Sequence, residues 1–302
     1  MKLIALLIGL AVERLATQSF HLRELRWLDR MIDRGFQQVD RLANWPPLLL
    51  VVLLAFVLVL PVLLARLALG DALFGFPYLV FAVIVLFFSF GPKDIAEEVQ
   101  EYCAALESGD AEAIRSTGKA LLERDPPTDP VERTNDIEAA VCVQANNRLF
   151  AVIFWFVLLG PLGAWAYRVT DLIRRRAVFT AARDETRETA ASLCVGAAED
   201  LHGWLAWIPA RLAALGYAMA GSFDGAVSAW RTSGGPALPP REQGESLLAR
   251  VGTGALALEL LEGETTAERG VRGALAANKL VFRSLLIWTA VIAAMTLYGW
   301  SL

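Results

Sequence analysis

The stretch Asn146 to Arg168, NNRLFAVIFWFVLLGPLGAWAYR, decides how this chain folds. It opens polar, continues through a membrane's worth of apolar side chains and ends on Tyr167-Arg168, with Arg174-Arg175-Arg176 just beyond. A transmembrane helix needs about 20 mostly apolar residues, so the length is sufficient for a crossing. Two features argue the other way. Gly160-Pro161-Leu162-Gly163 interrupts the run near its middle. Basic residues beside a span normally remain on the cytoplasmic side, yet here they follow the segment while an acid-rich stretch precedes it. The segment therefore either crosses, or dips in, turns at Gly-Pro-Leu-Gly and returns. Broken backbone at membrane depth is tolerated only where other protein covers it, so the segment is expected to lie against neighbouring helices.

A second stretch has the same look. Residues 203–221 combine an apolar run with Pro209 and Arg211 inside it, which suggests another helix that enters the bilayer without simply traversing it. Working outward, residues 48–69 form the clearest span, kinked at Pro61, and 77–90 return to a stop at Gly91-Pro92. Residues 3–20 begin like a signal peptide, but Glu13-Arg14 interrupts the run and no A-x-A pattern follows; they read as a retained helix. Residues 21–45 place Leu22, Leu25, Leu28, Ile32 and Phe36 at helical spacing among charges, the pattern of an amphipathic interfacial helix. Residues 91–148 are soluble in character. Ile95, Val99, Tyr102 and Leu106 line one helix, Asp110 is placed to cap the next, and a third starts near Val131. A long helix is expected from Arg168 to about Asp200, another near 241–262, and a last span at 280–300 behind Arg269, Arg272, Lys279 and Arg283.

The positive-inside rule puts 21–45, 91–148 and 168–279 on the cytoplasmic side and the C-terminus outside. That arrangement works only if 149–167 and 203–221 return to the side they came from, so charge placement favours dips. The expected fold is all-α: a polytopic membrane protein with about four full or partial membrane-inserted helical segments, two of them broken or re-entrant, plus a cytoplasmic helical portion. Its divisions are 1–90 (membrane helices with the interfacial helix 21–45), 91–148 (cytoplasmic helices), 149–232 (broken membrane segments and their connecting helix) and 233–302 (a helical segment and the C-terminal transmembrane helix).

Composition narrows the function classes. With 56% hydrophobic residues the chain is no ordinary soluble domain, while 20% charged residues is too many for a wall-to-wall channel or transporter. A net charge of −4 leaves no basic footprint for nucleic acid. Cys103, Cys142 and Cys194 are far apart and odd in number, which gives neither a disulfide framework nor zinc spacing; small buried thiols are the plainer reading. No G-x-x-x-x-G-K-[ST], G-x-G-x-x-G or H-E-x-x-H occurs, and the two histidines are far apart in sequence.

What remains are ionisable groups near membrane depth, which count as functional candidates. Glu13 and Arg14 are adjacent, so on a helix they diverge, and both can rest at the interface. Arg66 and Arg283 stand near helix ends, where they can snorkel. Arg211 follows Pro209; a guanidinium beside freed backbone groups could hold an anion or a carboxylate from another helix, or be merely structural. Asn146, Asn147 and Arg148, at the mouth of the central segment, could bind a ligand or serve as plain caps.

Three motifs, in order, carry a resemblance. L-I-x-L-x-x-E-R (Leu7 to Arg14), A-x-x-F-W-F-x-L-L-G-P-x-G-A-x-x-Y-R (Ala151 to Arg168) and L-x-W-I-P-A-R-L (Leu205 to Leu212) resemble the AmpE family. The resemblance implies a bacterial inner (cytoplasmic) membrane, multi-pass protein associated with β-lactamase induction and paired with the AmpD amidase. The family is in turn similar to the CobD/CbiB proteins of cobalamin biosynthesis, whose resemblance implies an ATP-dependent, Mg²⁺-requiring, amide-forming ancestor. The chain departs from their pattern. A Gly-Asp-Pro is missing after Glu13-Arg14, and Val143-Gln144 stand where a Glu-Asn is expected. An Asn-Thr-Leu-Asp is reduced to Val169-Thr170-Asp171-Leu172, followed by arginines. Loss of metal-binding carboxylates argues against a retained ligase, so no catalytic residue, metal ligand or cofactor is assigned; ATP and Mg²⁺ belong to the alternative. The resemblance points to a non-enzymatic sensor or accessory protein. Its expected partners are the lipid bilayer, another membrane protein or its transmembrane helix, and a small anionic ligand. The candidate binding site is Glu13, Asn147, Arg148, Tyr167, Arg168 and Arg211, with the arginines holding the anion and Glu13 as counter-charge.

Overall fold

The computed structural model describes residues 5–9, 26–39, 45–69, 76–91, 93–183, 190–232, 238–259 and 261–298. Glu13 and Arg14 lie outside the described residues, as do all of residues 10–25, Leu22 and Leu25 among them. Among the described residues the secondary structure is helical throughout, with no strand.

The amphipathic helix α1 (Arg26–Val39) buries Leu28, Ile32 and Phe36 at i, i+4, i+8 and leaves Trp27 and Met31 outside. Next come α2 (Pro47–Leu69), which keeps Pro61 within it, and α3 (Phe76–Ser89). The following three helices carry the caps of a water-exposed unit. Asp94 caps α4 (Ile95–Ser108), which ends on Gly109 in the left-handed conformation. Asp110, as its position predicts, caps α5 (Ala111–Leu122) by accepting from the Glu112 and Ala113 amides. Asp129 caps α6 (Pro130–Ala145), where Pro130 takes the first turn, whose N–H groups have no intrahelical partner.

The central segment begins as one turn of π-helix, Asn146–Phe150, and continues as α7 (Ala151–Leu159). Gly160 ends it with φ 71° and ψ −155°, backbone that only glycine adopts readily. Pro161 opens α8 (Pro161–Arg183). Gly163 then presses against the carbonyl of Trp155 and the side chain of Leu159, so close that a Cβ would collide with both. A straight helix holds residues eight apart about 12 Å from each other; this contact means the chain has doubled back. The segment is a helical hairpin with Leu158 and Leu159 exposed at its tip. The long helix expected from Arg168 thus starts at Pro161, and the next described one starts at Ala190.

The second proline stretch differs from its expectation. α9 (Ala190–Ala220) passes through Pro209 without a break. A proline inside a helix deprives the carbonyl four residues earlier of its donor. That carbonyl belongs to Leu205, and the Trp155 indole Nε1–H donates to it at 3.0 Å. The orphan acceptor is satisfied from α7, so the helix continues. Trp165 likewise reaches the neighbourhood of Pro61, donating to Leu58 O at 3.1 Å, one residue past the Val57 carbonyl that Pro61 orphans. Three further helices complete the chain: α10 (Phe223–Thr232), α11 (Pro240–Leu256) and α12 (Thr266–Leu297), the last opened by a Thr265–Glu268 capping box.

Three apolar clusters hold these elements. The largest joins α4, α5 and α6 to the C-terminal half of α9 and to α11 and α12, through residues such as Tyr102, Val141, Tyr217, Val251 and Ala277. The stretch 91–148 therefore shares its core with the C-terminal third. A second cluster packs α1 and α2 on α8 and the first part of α9, and a third packs Ala5 and Leu6 with α3 and α7. Helices Pro47–Leu69, Pro130–Leu159 and Thr266–Leu297 are long and apolar enough to cross a membrane, and α3 is a shorter apolar helix. Only 22% and 17% of the first and last windows are buried in protein against 67% of the middle one, so α2 and α12 present apolar surface to lipid while the middle segment is covered. The chain is an all-α, polytopic membrane protein.

Candidate functional site

Doubling back at Gly160 brings the two polar ends of the hairpin together. On the ingoing arm, the π-turn presents Arg148, whose aliphatic stem lies on Gly91; a Cβ there would meet it at 3.0–3.2 Å. Single π-turns within α-helices recur at functional sites, because the extra residue re-aims a side chain. Arg148 Nε donates to Gln144 Oε1 at 3.1 Å, and its Nη1 donates to Glu98 Oε2 of α4 at 2.7 Å. Its Nη2 is 4.0 Å from Glu123, just past the end of α5.

On the outgoing arm, Arg168, Asp171, Arg174 and Arg175 occupy i, i+3, i+6 and i+7, one face of α8. Asp171 is fully buried and accepts from three guanidinium groups: Arg168 Nη1 at 2.9 Å, Arg174 Nη2 at 2.8 Å and Arg175 Nε at 2.9 Å. Arg174 also donates to Glu123 Oε2 at 3.3 Å, and Arg175 Nη2 is 2.8 Å from Glu123 Oε1. Glu123 adopts a left-handed backbone (φ 56°) that turns it toward this face. His202 of α9 closes the cluster, with Nε2 3.8 Å from Asp171 Oδ1 and its ring 5.2 Å from that of Tyr167.

Electrostatics fix the charge states within the cluster. Burial raises the Asp171 carboxyl, but Arg175, Arg174 and Arg168 together outweigh it and hold the group well below the usual range. Glu123 is likewise lowered: burial pushes up, and Arg175 and Arg174 win. Burial, reinforced by Arg174, pushes His202 down to about 3, so its ring is neutral at physiological pH. Four arginines (148, 168, 174, 175) face three carboxylates (98, 123, 171), and Glu245 of α11 acts on Arg174 and Tyr167 as a fourth. Several buried polar atoms find no hydrogen-bond partner among the described residues: Arg168 Nε, Arg174 Nε, the Tyr167 hydroxyl and both nitrogens of His202. Buried polar groups are nearly always satisfied, so such a concentration marks the node as chemically unfinished.

The structure gathers Arg148, Tyr167 and Arg168 around this node; Asn147, next to Arg148 in the chain, is buried and accepts from Asn146 Nδ2 at 3.4 Å. It does not bring Arg211 there. That side chain is half-buried on α9, stacked 3.5 Å over the Trp207 ring and bonded to the Trp207 carbonyl, with no carboxylate partner among the described residues. The reason is the continuous helix: without a break at Pro209, Arg211 stays on the outer face, nine residues past His202. Glu13 lies outside the described residues. Reading the sequence missed Glu98, Glu123, Asp171, Arg174, Arg175 and His202. The signal for three of them was present, since an acid followed at i+3 and i+4 by arginines is a helical charge cluster; Glu98, Glu123 and His202 arrive from other elements.

A Mg²⁺ site of the ligase kind needs carboxylate oxygens free to coordinate. Both oxygens of Asp171 are taken by guanidinium groups, and Glu98 and Glu123 are engaged likewise. Among the described residues no three His, Cys, Asp or Glu converge to hold a metal ion. The carboxylates of the node are paired with arginines rather than free to coordinate Mg²⁺.

Fold and node together define the class: an all-α polytopic membrane protein with an arginine–carboxylate cluster at the mouth of a helical hairpin. The chain belongs to the AmpE family, whose sequence profile, described as "Regulatory signalling modulator protein AmpE", matches residues 1–302. It is also similar to the cobalamin biosynthesis protein CobD of Stutzerimonas stutzeri, 28% identical over 50% of this chain and 48% of the relative. The CobD of Chromobacterium violaceum is 27% identical over 51% of this chain and 47% of its own length. The chain thus spans about half the length of the curated relatives it matches. No solved structure matches it.

Proposed function

We propose that this protein is a non-catalytic inner-membrane accessory of the AmpE type, modulating β-lactamase induction and the cell-wall stress response. The node is its receiving element. An anionic ligand, or an acidic side chain of a membrane partner, competes with Asp171 and Glu123 for the arginines and so changes how the cytoplasmic helices α4–α6 grip the hairpin. The observation that carries this reading is the gathering of four arginines at the hairpin's mouth, where Arg168 Nε, Arg174 Nε and the Tyr167 hydroxyl are buried without a hydrogen-bond partner among the described residues. Charge-assisted bonds from arginine to an oxyanion are the strong ones, and a dry site magnifies them.

The test uses a strain lacking the chromosomal copy, complemented with the wild-type chain or with Tyr167→Phe. That variant removes a hydroxyl without a partner and keeps the ring packed on His202, so the protein is expected at wild-type levels in the membrane. Under β-lactam challenge the deletion alters β-lactamase activity, the wild type restores it and the variant restores less than half. Unchanged induction in the deletion strain would refute the signalling role. The similarity to CobD supports a second reading, an ATP-dependent amide ligase acting on an unknown carboxylate. A Mg·ATP-dependent rise in melting temperature of the purified protein would favour it over the first.

A further inference from the structure

Arg148 has a second side. Away from Glu98 it lines a groove of about 480 Å³ between α12 and the junction of α3 with α4. Two lysines, Lys93 and Lys279, line this groove, together with Arg148, whose guanidinium is bonded to Glu98 and Gln144. The lone acid on the wall, Asp94, is occupied in capping α4 through the Ala96 amide at 3.0 Å. Lys93 meets only Glu101, on the outer surface, and Lys279 has no carboxylate within ion-pair distance among the described residues. Farther along α12 the wall is apolar, made by Phe282, Leu285 and Leu286.

The order along α12 is informative. From Lys279 to Leu286 the helix rises about 10 Å, and over that distance the wall passes from ammonium to hydrocarbon. Phe282 and Leu286 remain 37% and 53% exposed on the face that α12 turns to lipid. The basic, N-terminal end of this span belongs on the cytoplasmic side, where anionic phospholipids give the leaflet its negative potential. A soluble anion would use the cations and leave the apolar wall uncovered; a neutral lipid would do the reverse.

We propose that this groove is a binding site for one anionic phospholipid of the cytoplasmic leaflet. Its phosphate lies between Lys93 and Lys279 with Arg148 at the floor, and the first part of an acyl chain runs down Phe282, Leu285 and Leu286. The site stands apart from the signalling role above: it needs only the bilayer, although Arg148 joins it to the node.

The experiment uses the full chain in mild detergent, with thermal unfolding and native mass spectrometry during titration with short-chain phosphatidylglycerol. The expected result is one retained phosphatidylglycerol and a rise in melting temperature that phosphatidylcholine does not give. A lysine near an anionic surface is worth roughly fivefold in affinity, so Lys93→Gln with Lys279→Gln weakens binding roughly 25-fold. Lys119→Gln, at an exposed ion pair with Asp125 remote from the groove, leaves it unchanged. Equal stabilisation by phosphatidylcholine, or full binding by the double variant, overturns the proposal. So does inorganic phosphate or glycerol phosphate reproducing the whole effect, since the apolar wall would then have no part.

Discussion

Two stretches of this chain look alike as text and behave differently as structure. Residues 149–167 and 203–221 are both apolar runs with a proline inside; an arginine follows the first and lies within the second. The first reverses direction at Gly160, and the second continues as helix through Pro209. Proline is therefore not what breaks the chain. In the first stretch a glycine at φ 71° supplies the turn, and another, Gly163, lets the returning arm approach the Trp155 carbonyl. In the second no residue has positive φ until well past the helix, and the carbonyl that Pro209 orphans is satisfied by Trp155. The consequence is functional geometry: reversal buries Arg148 and Arg168 in one node, and continuity leaves Arg211 on the surface.

The sharpest way to break this contrast is at the node. Asp171→Asn keeps shape and removes the charge that Arg168, Arg174 and Arg175 share. Removing one partner of a buried ion cluster costs about 3–5 kcal/mol, because the remaining charges stay desolvated. The expected result is a severe loss of thermal stability and of membrane-inserted protein. A loss below about 1 kcal/mol would mean that water reaches the cluster and that its burial has no energetic weight.

Next in size is the turn itself. Gly160→Ala forces a side chain into backbone that is otherwise glycine-only, at a cost of about 1–3 kcal/mol. The Tyr78 hydroxyl, 3.2 Å from where that Cβ would stand, leaves little room for relaxation. Differential scanning fluorimetry of purified variants measures it, with Gly196→Ala, which meets nothing within 4 Å, as the tolerant control in the uninterrupted helix.

These contrasts also show what one sequence discloses. Membrane character, the helical class, the Asp110 cap and the interruption at Gly160-Pro161 were legible because each depends on local chemistry: hydrophobic length, capping oxygen, glycine and proline. The mouth residues Arg148, Tyr167 and Arg168 were legible as polar groups flanking an apolar run. The fate of Pro209 was not, since it rests on the indole of Trp155, which comes from another helix far earlier in the chain. Nor was the composition of the node, which needs Glu98 from α4, Glu123 from a left-handed turn and His202 from α9. Each of those residues is ordinary in its own neighbourhood and acquires meaning only by packing.

A double-mutant cycle sharpens the proline comparison. Trp155→Phe keeps most of the packing and withdraws the N–H that serves Leu205 O, leaving a carbonyl unsatisfied at about 1–2 kcal/mol. With Pro209→Ala in place, the helix supplies its own donor and the same tryptophan change costs at least half as much less. Additive effects would show that the indole contact is incidental and that α9 tolerates Pro209 for another reason. The contact between the two stretches has its own signature in pH. His202 of α9 is held neutral against α8 with its pKa pushed to about 3, so the unfolded chain binds a proton that the folded chain refuses. Stability is full above about pH 6.5, the usual histidine value, and falls as pH drops toward 3, by up to about 1.4 kcal/mol per unit. His202→Gln flattens that slope between pH 6.5 and 5; a slope unchanged by the substitution would assign it to other groups.

The smallest effect is expected where the second stretch carries its arginine. Arg211 stacks on Trp207 and donates to the carbonyl of its own helix, contacts that are local and exposed. An exposed cation–π pair is worth about 0.5–1 kcal/mol, so Arg211→Gln is expected to change stability by no more than that and to leave β-lactam induction as in wild type. The comparison with Asp171→Asn then becomes quantitative. Similar chemistry, an ionisable group near membrane depth, differs several-fold in energetic weight according to whether the chain has turned back on itself. If Arg211→Gln abolished the response while the protein remained folded, the receiving element would have to include the outer face of α9, and the node at the hairpin's mouth would be its support.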